Sequence, residues 1–330
     1  MNKAFFLLFF GPLFLISCSQ KKDQTIGLTS GKINSVSVII DDQLWKGELG
    51  DSIRNKFASP VIGLPQEEPL FTLNQYPVKL LEGYMTNSRN IIVVKKEKNS
   101  QFFIAENEYA TPQNVVHISG RTTQELLDTL ENNTAKIIEK IRKTELVENQ
   151  RTIDTLRLNT KRLEKKFRLQ LKVPEGYKYV MERRKFIWLK KEIQSGNMSL
   201  LIYQVPLSTI RNKNVLNTII RMRDSVGRLY IHGKARATRM ITERAYAPYF
   251  KSSIFEGRKT FETKGTWEMK NDYMSGPFIN YAIIDKKNNR LLVLEGFCYA
   301  PSKEKRDLMF ELEASIKSAV LLKKIKKQKR

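Results

Sequence analysis

The first half of the chain has short apolar runs separated by polar segments. Runs at residues 36–40, 90–94, 101–105 and 115–118 have the length and composition of β-strands. The second and third of these runs flank the polar segment 95–99. This arrangement predicts a β-hairpin between them.

Helical spacing of apolar residues appears twice in the same half. Leu49, Ile53 and Phe57 recur at the spacing of one helix face, with Asp51 as the predicted N-cap. Thr122 followed by Glu125 forms a capping box, which predicts the start of a longer helix. The apolar face of that helix carries Leu126, Leu127, Leu130, Ile137, Ile138 and Ile141.

The second half repeats this order of strands followed by helices. Segments 185–191 and 198–205 flank good turn residues and predict a hairpin. A helix with Val215 on its apolar face is predicted to stop at Gly227. Further elements are predicted as a strand with alternating Leu169, Leu171 and Val173, strands at 264–270, 277–285 and 290–299, and a closing helix from Pro301-Ser302 that buries Met309, Leu312, Ile316 and Val320.

Together these elements predict an α+β fold of mostly antiparallel sheets covered by helices, in two similar-sized halves. The strongly charged stretch 145–166 separates the halves, which we place at 33–150 and 151–322. Strict alternation of strands and helices is absent, which argues against a doubly wound fold. An internal duplication is conceivable, but no aligned identities establish it.

The N-terminus has the pattern of a lipoprotein signal peptide. Lys3 precedes an apolar run at 4–16, and Leu15-Ile16-Ser17-Cys18 has the form of a lipobox. The run is shorter than the roughly 20 residues that span a bilayer. We therefore predict cleavage of residues 1–17 and a lipid, such as palmitate, on Cys18. An ordinary cleaved signal with a coincidental cysteine is the alternative.

Polar and charged segments flank the two halves. Residues 18–32 are predicted to be a flexible tether, and residues 323–330 form a basic tail.

The whole chain has a formal net charge of +24. Because an exported protein does not meet nucleic acid, we expect an envelope protein or an anionic glycan or lipid as partner. The alternative is that the lysine content reflects an AT-rich genome.

Only one cysteine other than Cys18 is present, so the mature chain cannot form an internal disulfide. This residue, Cys298, lies in an apolar stretch, which favours an inert buried thiol. A reactive or cross-linking thiol is the alternative.

Several short motifs resemble those of one protein family. They are Val38–Gly47, Gly50–Arg54, Gly63–Phe71, Phe186–Leu189, Gly265–Trp267, Gly276–Phe278 and Gly296–Pro301. In combination they resemble the Bacteroidota lipoproteins grouped as domain of unknown function 4837, over about residues 33–322. The resemblance implies a Bacteroidota cell envelope. It implies no catalytic residues, because the family has no established activity.

Carboxylates provide the best candidates for catalysis. Asp41 and Asp42 follow an apolar strand, and Glu68, beside Glu67, lies in a proline-bounded loop that could fold back towards them. Such carboxylates can bind a divalent cation or divide acid and base roles. Turn formation and helix capping are the competing interpretation.

The only two histidines, His117 and His232, have no cysteine or carboxylate near them at the spacing of metal ligands. We therefore predict neither a metal site nor a cofactor.

Aromatic residues are the candidates for ligand binding. Trp45 and Trp267 could line a groove for a glycan or a peptide, although aromatic residues more often build a core.

The main functional hypothesis is that the protein is a non-enzymatic binding or assembly component of the cell envelope. Its lipid would hold it at the outer membrane, facing the periplasm or the surface. The alternative is an envelope hydrolase that uses Asp41, Asp42 and Glu68, with or without a metal ion.

Overall fold

Two large β-sheets organise the chain in a computed structural model that describes residues 26–210 and 214–322. The predicted signal peptide, Cys18, the first part of the predicted tether and the basic tail lie outside these residues. The α-helices are α1 Asp42–Lys46, α2 Glu48–Phe57, α3 Thr123–Thr155, α4 Lys161–Phe167, α5 Val215–Tyr230 and α6 Arg306–Lys317. Within the described ranges, no helix is both long and apolar enough to cross a membrane.

The strands of the first half have two to seven residues, and those of the second half have two to thirteen. Those of the first half are β1 Gly27–Leu28, β2 Ser35–Ile39, β3 Thr72–Tyr76, β4 Asn90–Lys96, β5 Gln101–Glu106, β6 Ala110–Thr111 and β7 Asn114–Gly120. Those of the second half are β8 Leu169–Gln170, β9 Lys178–Arg183, β10 Phe186–Ile193, β11 Gly196–Pro206, β12 Arg239–Thr242, β13 Tyr249–Phe255, β14 Arg258–Lys270, β15 Ser275–Asp285, β16 Arg290–Tyr299 and β17 Val320–Leu321.

The first half contains a five-stranded sheet in the order β3-β2-β4-β7-β5. Three of its four pairings are parallel, and only β5 runs antiparallel to its neighbour β7. Helices α2 and α3 cover one face, where Val38, Ile53, Ile92, Leu130 and Ile141 belong to one buried cluster. Parallel pairing therefore predominates in this half, whereas mostly antiparallel pairing was predicted from the short connections.

The predicted hairpin of residues 90–105 is wrong. Strands β4 and β5 both pair with β7, which lies between them. Six of the seven residues of β7 are buried, as expected for a central strand with both faces covered. Strand β5 is half exposed and occupies the edge. The largely buried strand β7 therefore lies between β4 and β5, so these two strands do not form a hairpin.

The second half contains an eight-stranded antiparallel sheet in the order β12-β14-β15-β16-β11-β10-β9, with β13 also paired to β14. This sheet confirms the predicted α+β class with antiparallel strands, and its β10–β11 pairing confirms the predicted hairpin. Leu312 and Ile316 of α6 pack on one face. Ile219 and Val226 of α5 pack on the other.

Helix ends differ from prediction at three places. Helix α2 begins at Glu48 after Gly47, so Asp51 lies in its first turn and is not its N-cap. Helix α5 continues to Tyr230, past the predicted stop at Gly227. Helix α6 begins at Arg306, several residues after the predicted start. Helix α3 is capped by Thr122 as predicted, and it runs through residue 150, where we placed the boundary between the halves.

Gly227 is required by packing and not by helix termination. A Cβ atom at this position would lie 2.2 Å from the carbonyl oxygen of Met240 in β12. The absence of a side chain therefore allows α5 to touch the edge of the sheet.

Replacing Gly227 with Ala should lower the free energy of unfolding by about 1–3 kcal/mol through overpacking, although alanine favours helix. Urea denaturation measures the effect. Gly27→Ala is the control, because no heavy atom lies within 4 Å of the added Cβ. A G227A variant as stable as the wild type would contradict the close approach of α5 and β12.

Candidate functional site

Glu68, a predicted catalytic candidate, binds the N-terminus of α6. Its carboxylate is buried and accepts hydrogen bonds from the backbone N–H groups of Lys305, at 2.7 and 2.9 Å, and Arg306, at 2.7 Å. A carboxylate at this end of a helix satisfies free N–H groups and complements the helix dipole. Glu68 therefore joins the first half of the chain to a helix of the second half.

Arg306 completes this contact in the opposite direction. Its Nη1 donates to the carbonyl oxygen of Pro69 at 3.0 Å and to the hydroxyl of Thr72 at 3.1 Å. Its guanidinium also pairs with Asp307. We call the contacts of Glu68 with Lys305 and Arg306, and of Arg306 with Pro69 and Thr72, the α6 clasp.

Asp41 and Asp42 lie on the surface, away from the clasp contacts. Asp41 precedes α1 and forms no side-chain capping bond. Asp42 Oδ1 accepts a hydrogen bond from Gln75 Nε2 at 2.9 Å. Within residues 26–210 and 214–322, no three His, Cys, Asp or Glu side chains are grouped so that they could hold a metal ion. Of the three carboxylate candidates, only Glu68 has the contacts of a helix-capping residue.

Replacing Glu68 with Ala should lower the free energy of unfolding by about 2–4 kcal/mol, because buried N–H groups lose a charged acceptor. Chemical denaturation of the full chain measures the loss. Glu67→Ala is the matched control, since Glu67 is the exposed neighbour. Equal stability of the two variants would show that the clasp contributes nothing.

Beside the clasp lies a cavity of about 280 Å³, which we call the central cavity. Residues 59–64 of the first half form one wall, and β13, β14, β15 and α6 of the second half form the others. Gly63 lets this wall approach β14, because a Cβ there would lie 2.8 Å from Cβ of Lys264. Its charged lining residues are Arg142, Lys251, Glu262, Lys264, Arg306, Glu313 and Lys317.

The two carboxylates of the central cavity are surrounded by cations. Glu313 lies 3.1 Å from Arg142, 2.7 Å from Lys317 and 3.6 Å from Lys264. Glu262 lies 3.3 Å from Lys264 and 3.4 Å from Lys251. Cations outnumber carboxylates, so the cavity has an excess of positive charge.

Burial alone would raise the pKa of Glu313. The positive charges of Lys264, Lys317 and Arg142 outweigh it and hold the pKa of this carboxyl well below its ordinary value of 4.5. Glu313 is therefore a fixed anion at the centre of a cationic cluster. A group that stays ionised in this way is unsuited to donating a proton in catalysis.

A carboxyl with a depressed pKa in the folded state stabilises the fold above its unfolded pKa, and this stability is lost as the pH falls. The free energy of unfolding should therefore decrease below about pH 4.5 more steeply in the wild type than in Glu313→Gln. Urea denaturation between pH 7 and pH 3 measures this. Glu304→Gln, at an exposed position, should keep the wild-type slope. Identical slopes in the wild type and E313Q would contradict the cationic environment of Glu313.

The remaining predicted residues lie elsewhere. Trp267 is buried in the core and donates from Nε1 to the carbonyl oxygen of Cys298 at 3.2 Å. Trp45 is partly exposed, and Arg54 stacks on its ring at 4.5 Å.

Burial raises the pKa of the Cys298 thiol to about 12. The positive charge of Lys305 lowers this pKa, and the negative charge of Glu68 raises it. Cys298 is therefore a protonated thiol, as expected for the inert interpretation.

The two histidines have local structural contacts. His117 Nε2 lies 2.7 Å from a carboxylate oxygen of Glu108, and its ring stacks on Phe103 with centroids 4.5 Å apart. His232 Nε2 lies 2.9 Å from the carbonyl oxygen of Arg228. Neither histidine lines the central cavity.

Sequence reasoning missed the central cavity. Its charged residues come from α3, β13, β14 and α6, which are far apart along the chain. Each lysine taken alone resembles the many surface lysines of this basic protein. Only the tertiary arrangement brings them to a common site.

Comparison with solved structures finds distant likenesses. One is the Ran-binding protein Mog1p of Saccharomyces cerevisiae, with 8% identity and a TM-score of 0.30 over 46% of this chain and 89% of that chain. Another is PsbP of the cyanobacterium Synechocystis, with 9% identity and a TM-score of 0.31 over 47% and 86%. Human StAR-related lipid transfer protein 5 has 8% identity and a TM-score of 0.24 over 52% and 96%. These values indicate no function.

Comparison with protein families gives a match for each half. Residues 29–154 match a domain of unknown function, DUF8532. Residues 156–318 match another, DUF4837. No curated protein matches the sequence. The resemblance to DUF4837 is thus confirmed over residues 156–318, whereas residues 29–154 are similar to a different domain of unknown function.

Proposed function

We propose that this protein is a lipid-anchored lipoprotein of the cell envelope that binds a ligand in the central cavity and does not catalyse a reaction. The observation that carries the proposal is the cavity itself. It is formed by both halves and has more cations than carboxylates, together with apolar walls from Leu64, Phe278 and Met309. Pockets of this kind, mostly apolar with a few converging polar groups, are typical of ligand sites.

The ionisation of Glu313 supports binding over acid–base chemistry. A carboxyl whose pKa is held low by three cations keeps its charge near neutral pH. Such a group positions neighbouring cations and does not transfer protons. The α6 clasp supports binding as well, because it holds the two walls of the cavity in a fixed relation before any ligand arrives.

The N-terminal sequence supports the anchor. Leu15-Ile16-Ser17-Cys18 follows an apolar run of signal-peptide length. Acylation of Cys18, with palmitate among the acyl chains, would place the folded halves at a membrane surface through the segment 18–32. The motifs that resemble Bacteroidota lipoproteins favour the outer membrane of such an envelope.

Replacing Cys18 with Ala should move the protein from the membrane fraction to the soluble fraction and abolish labelling by a palmitate analogue. Cell fractionation and acyl labelling measure the two effects. Ser19→Ala is the control and should behave like the wild type. Unchanged membrane partition of C18A would contradict the anchor.

A count of free thiols gives an independent readout of the same prediction. After reduction and denaturation, protein purified from membranes should show one reactive thiol, that of Cys298, because the Cys18 sulfur is occupied by lipid. Two reactive thiols would show that Cys18 is unmodified.

A further inference from the structure

We infer that the ligand of the central cavity carries a phosphomonoester group and at least one hydroxyl, which is the chemistry of a sugar phosphate, a glycerol phosphate or a phosphorylated lipid headgroup. The inference rests on the proposal that this cavity is a binding site.

The balance of charge favours a doubly charged anion. Arg142, Lys251, Lys264 and Lys317 face the two carboxylates Glu262 and Glu313. Arg306 also lines the cavity but is paired with Asp307. The excess of two positive charges matches a phosphomonoester, which carries a charge of about −1.5 to −2 near neutral pH. A carboxylate would leave part of this excess uncompensated.

Two of the lysines can still donate hydrogen bonds to a ligand. Lys264 Nζ lies 3.3 Å from Glu262 and 3.6 Å from Glu313, and Lys251 Nζ lies 3.4 Å from Glu262. These separations exceed the roughly 2.7–2.9 Å of a full charge-assisted hydrogen bond. Each ammonium has three N–H donors, so both can turn donors toward a phosphate oxygen.

An unpaired acceptor indicates that the ligand also donates a hydrogen bond. Asn34 lines the cavity and is buried, and its Oδ1 has no hydrogen-bond partner among the described residues. The amide orientation is set by Nδ2, which donates to Asp307 at 2.9 Å. A buried acceptor without a partner is costly. A ligand hydroxyl would satisfy it, whereas a phosphate oxygen without a proton would not.

The size and walls of the cavity set the scale of the ligand. A volume of about 280 Å³ is at the lower end of small-molecule sites. Ile62 lies in the same wall and its residue is 57% exposed, so this wall reaches the surface and offers apolar contact there. A small phosphorylated polyol fits this description, and so does a lipid headgroup whose chains leave past Ile62.

Isothermal titration calorimetry of the purified full chain with glycerol 3-phosphate tests the inference. Lys264→Met keeps the length of the side chain but removes its charge, and we expect it to weaken binding about tenfold or more. The double variant K251M/K264M should abolish measurable binding. Lys270→Met is the matched control, because it removes the same charge at the exposed end of the same strand and should bind like the wild type.

Two further ligands distinguish the source of the phosphate and test its chemistry. The lipid probe is hexanoyl lysophosphatidic acid, which keeps one free hydroxyl beside its phosphomonoester. Binding more than tenfold tighter than that of glycerol 3-phosphate, with the same dependence on Lys264, identifies a lipid headgroup. Preference for glycerol 3-phosphate identifies a soluble phosphomonoester. Acetate should bind much more weakly than either.

Equal binding of acetate, or equal losses in K264M and K270M, would overturn the inference, and so would the absence of binding by every phosphorylated probe in correctly folded protein. These results would leave the anchoring at Cys18 untouched. Conversely, failure of the anchor prediction in the fractionation test would not affect binding in the cavity. The two failures are therefore distinguishable.

Discussion

The hydrogen bonds between the Glu68 carboxylate and the backbone N–H groups of Lys305 and Arg306 are the contact on which the arrangement of the two halves depends. A buried carboxylate is costly unless its charge is compensated, and the first turn of a helix provides both free N–H donors and a favourable dipole. Neither half can satisfy this need alone. The contact therefore selects the orientation in which α6 meets the loop after α2.

A second series of contacts fixes the same orientation from the side of α3. The buried Glu145 of α3 accepts hydrogen bonds from the backbone N–H of Asn34, from Arg89 and from Asn90. Asn34 in turn donates to Asp307 of α6. The central cavity lies among these contacts, so its shape is defined by the folded chain and does not have to be created by the ligand. Preorganisation of this kind lowers the cost of binding.

Local sequence patterns correctly predicted the elements that are stabilised by residues nearby in the chain. The Thr122 cap and the β10–β11 hairpin appear where their capping and turn residues predicted them, and β15 and β16 lie close to their predicted bounds. Strand β14 was predicted only in part, because it begins at Arg258 and not at residue 264. Elements decided by competition between distant segments were predicted wrongly. Strand β7 inserts between β4 and β5 because its apolar residues need burial on both faces, and no local pattern announces that insertion.

The same distinction applies to the site. Glu68 was singled out for its loop, but its role depends on a helix more than 230 positions later in the chain. The cationic lining was not singled out, because Arg142, Lys251, Lys264 and Lys317 share no motif. Trp267 was considered for ligand binding and is instead a core residue, which agrees with the usual burial of aromatic side chains.

The central claim is that the two halves together form one anion-binding site. An experimental structure of the full chain crystallised with glycerol 3-phosphate tests it most directly. The account predicts a phosphate group inside the central cavity, within hydrogen-bond distance of Lys251 and Lys264, and a hydroxyl against Oδ1 of Asn34. An empty cavity in crystals that hold the ligand on other surface lysines would contradict it.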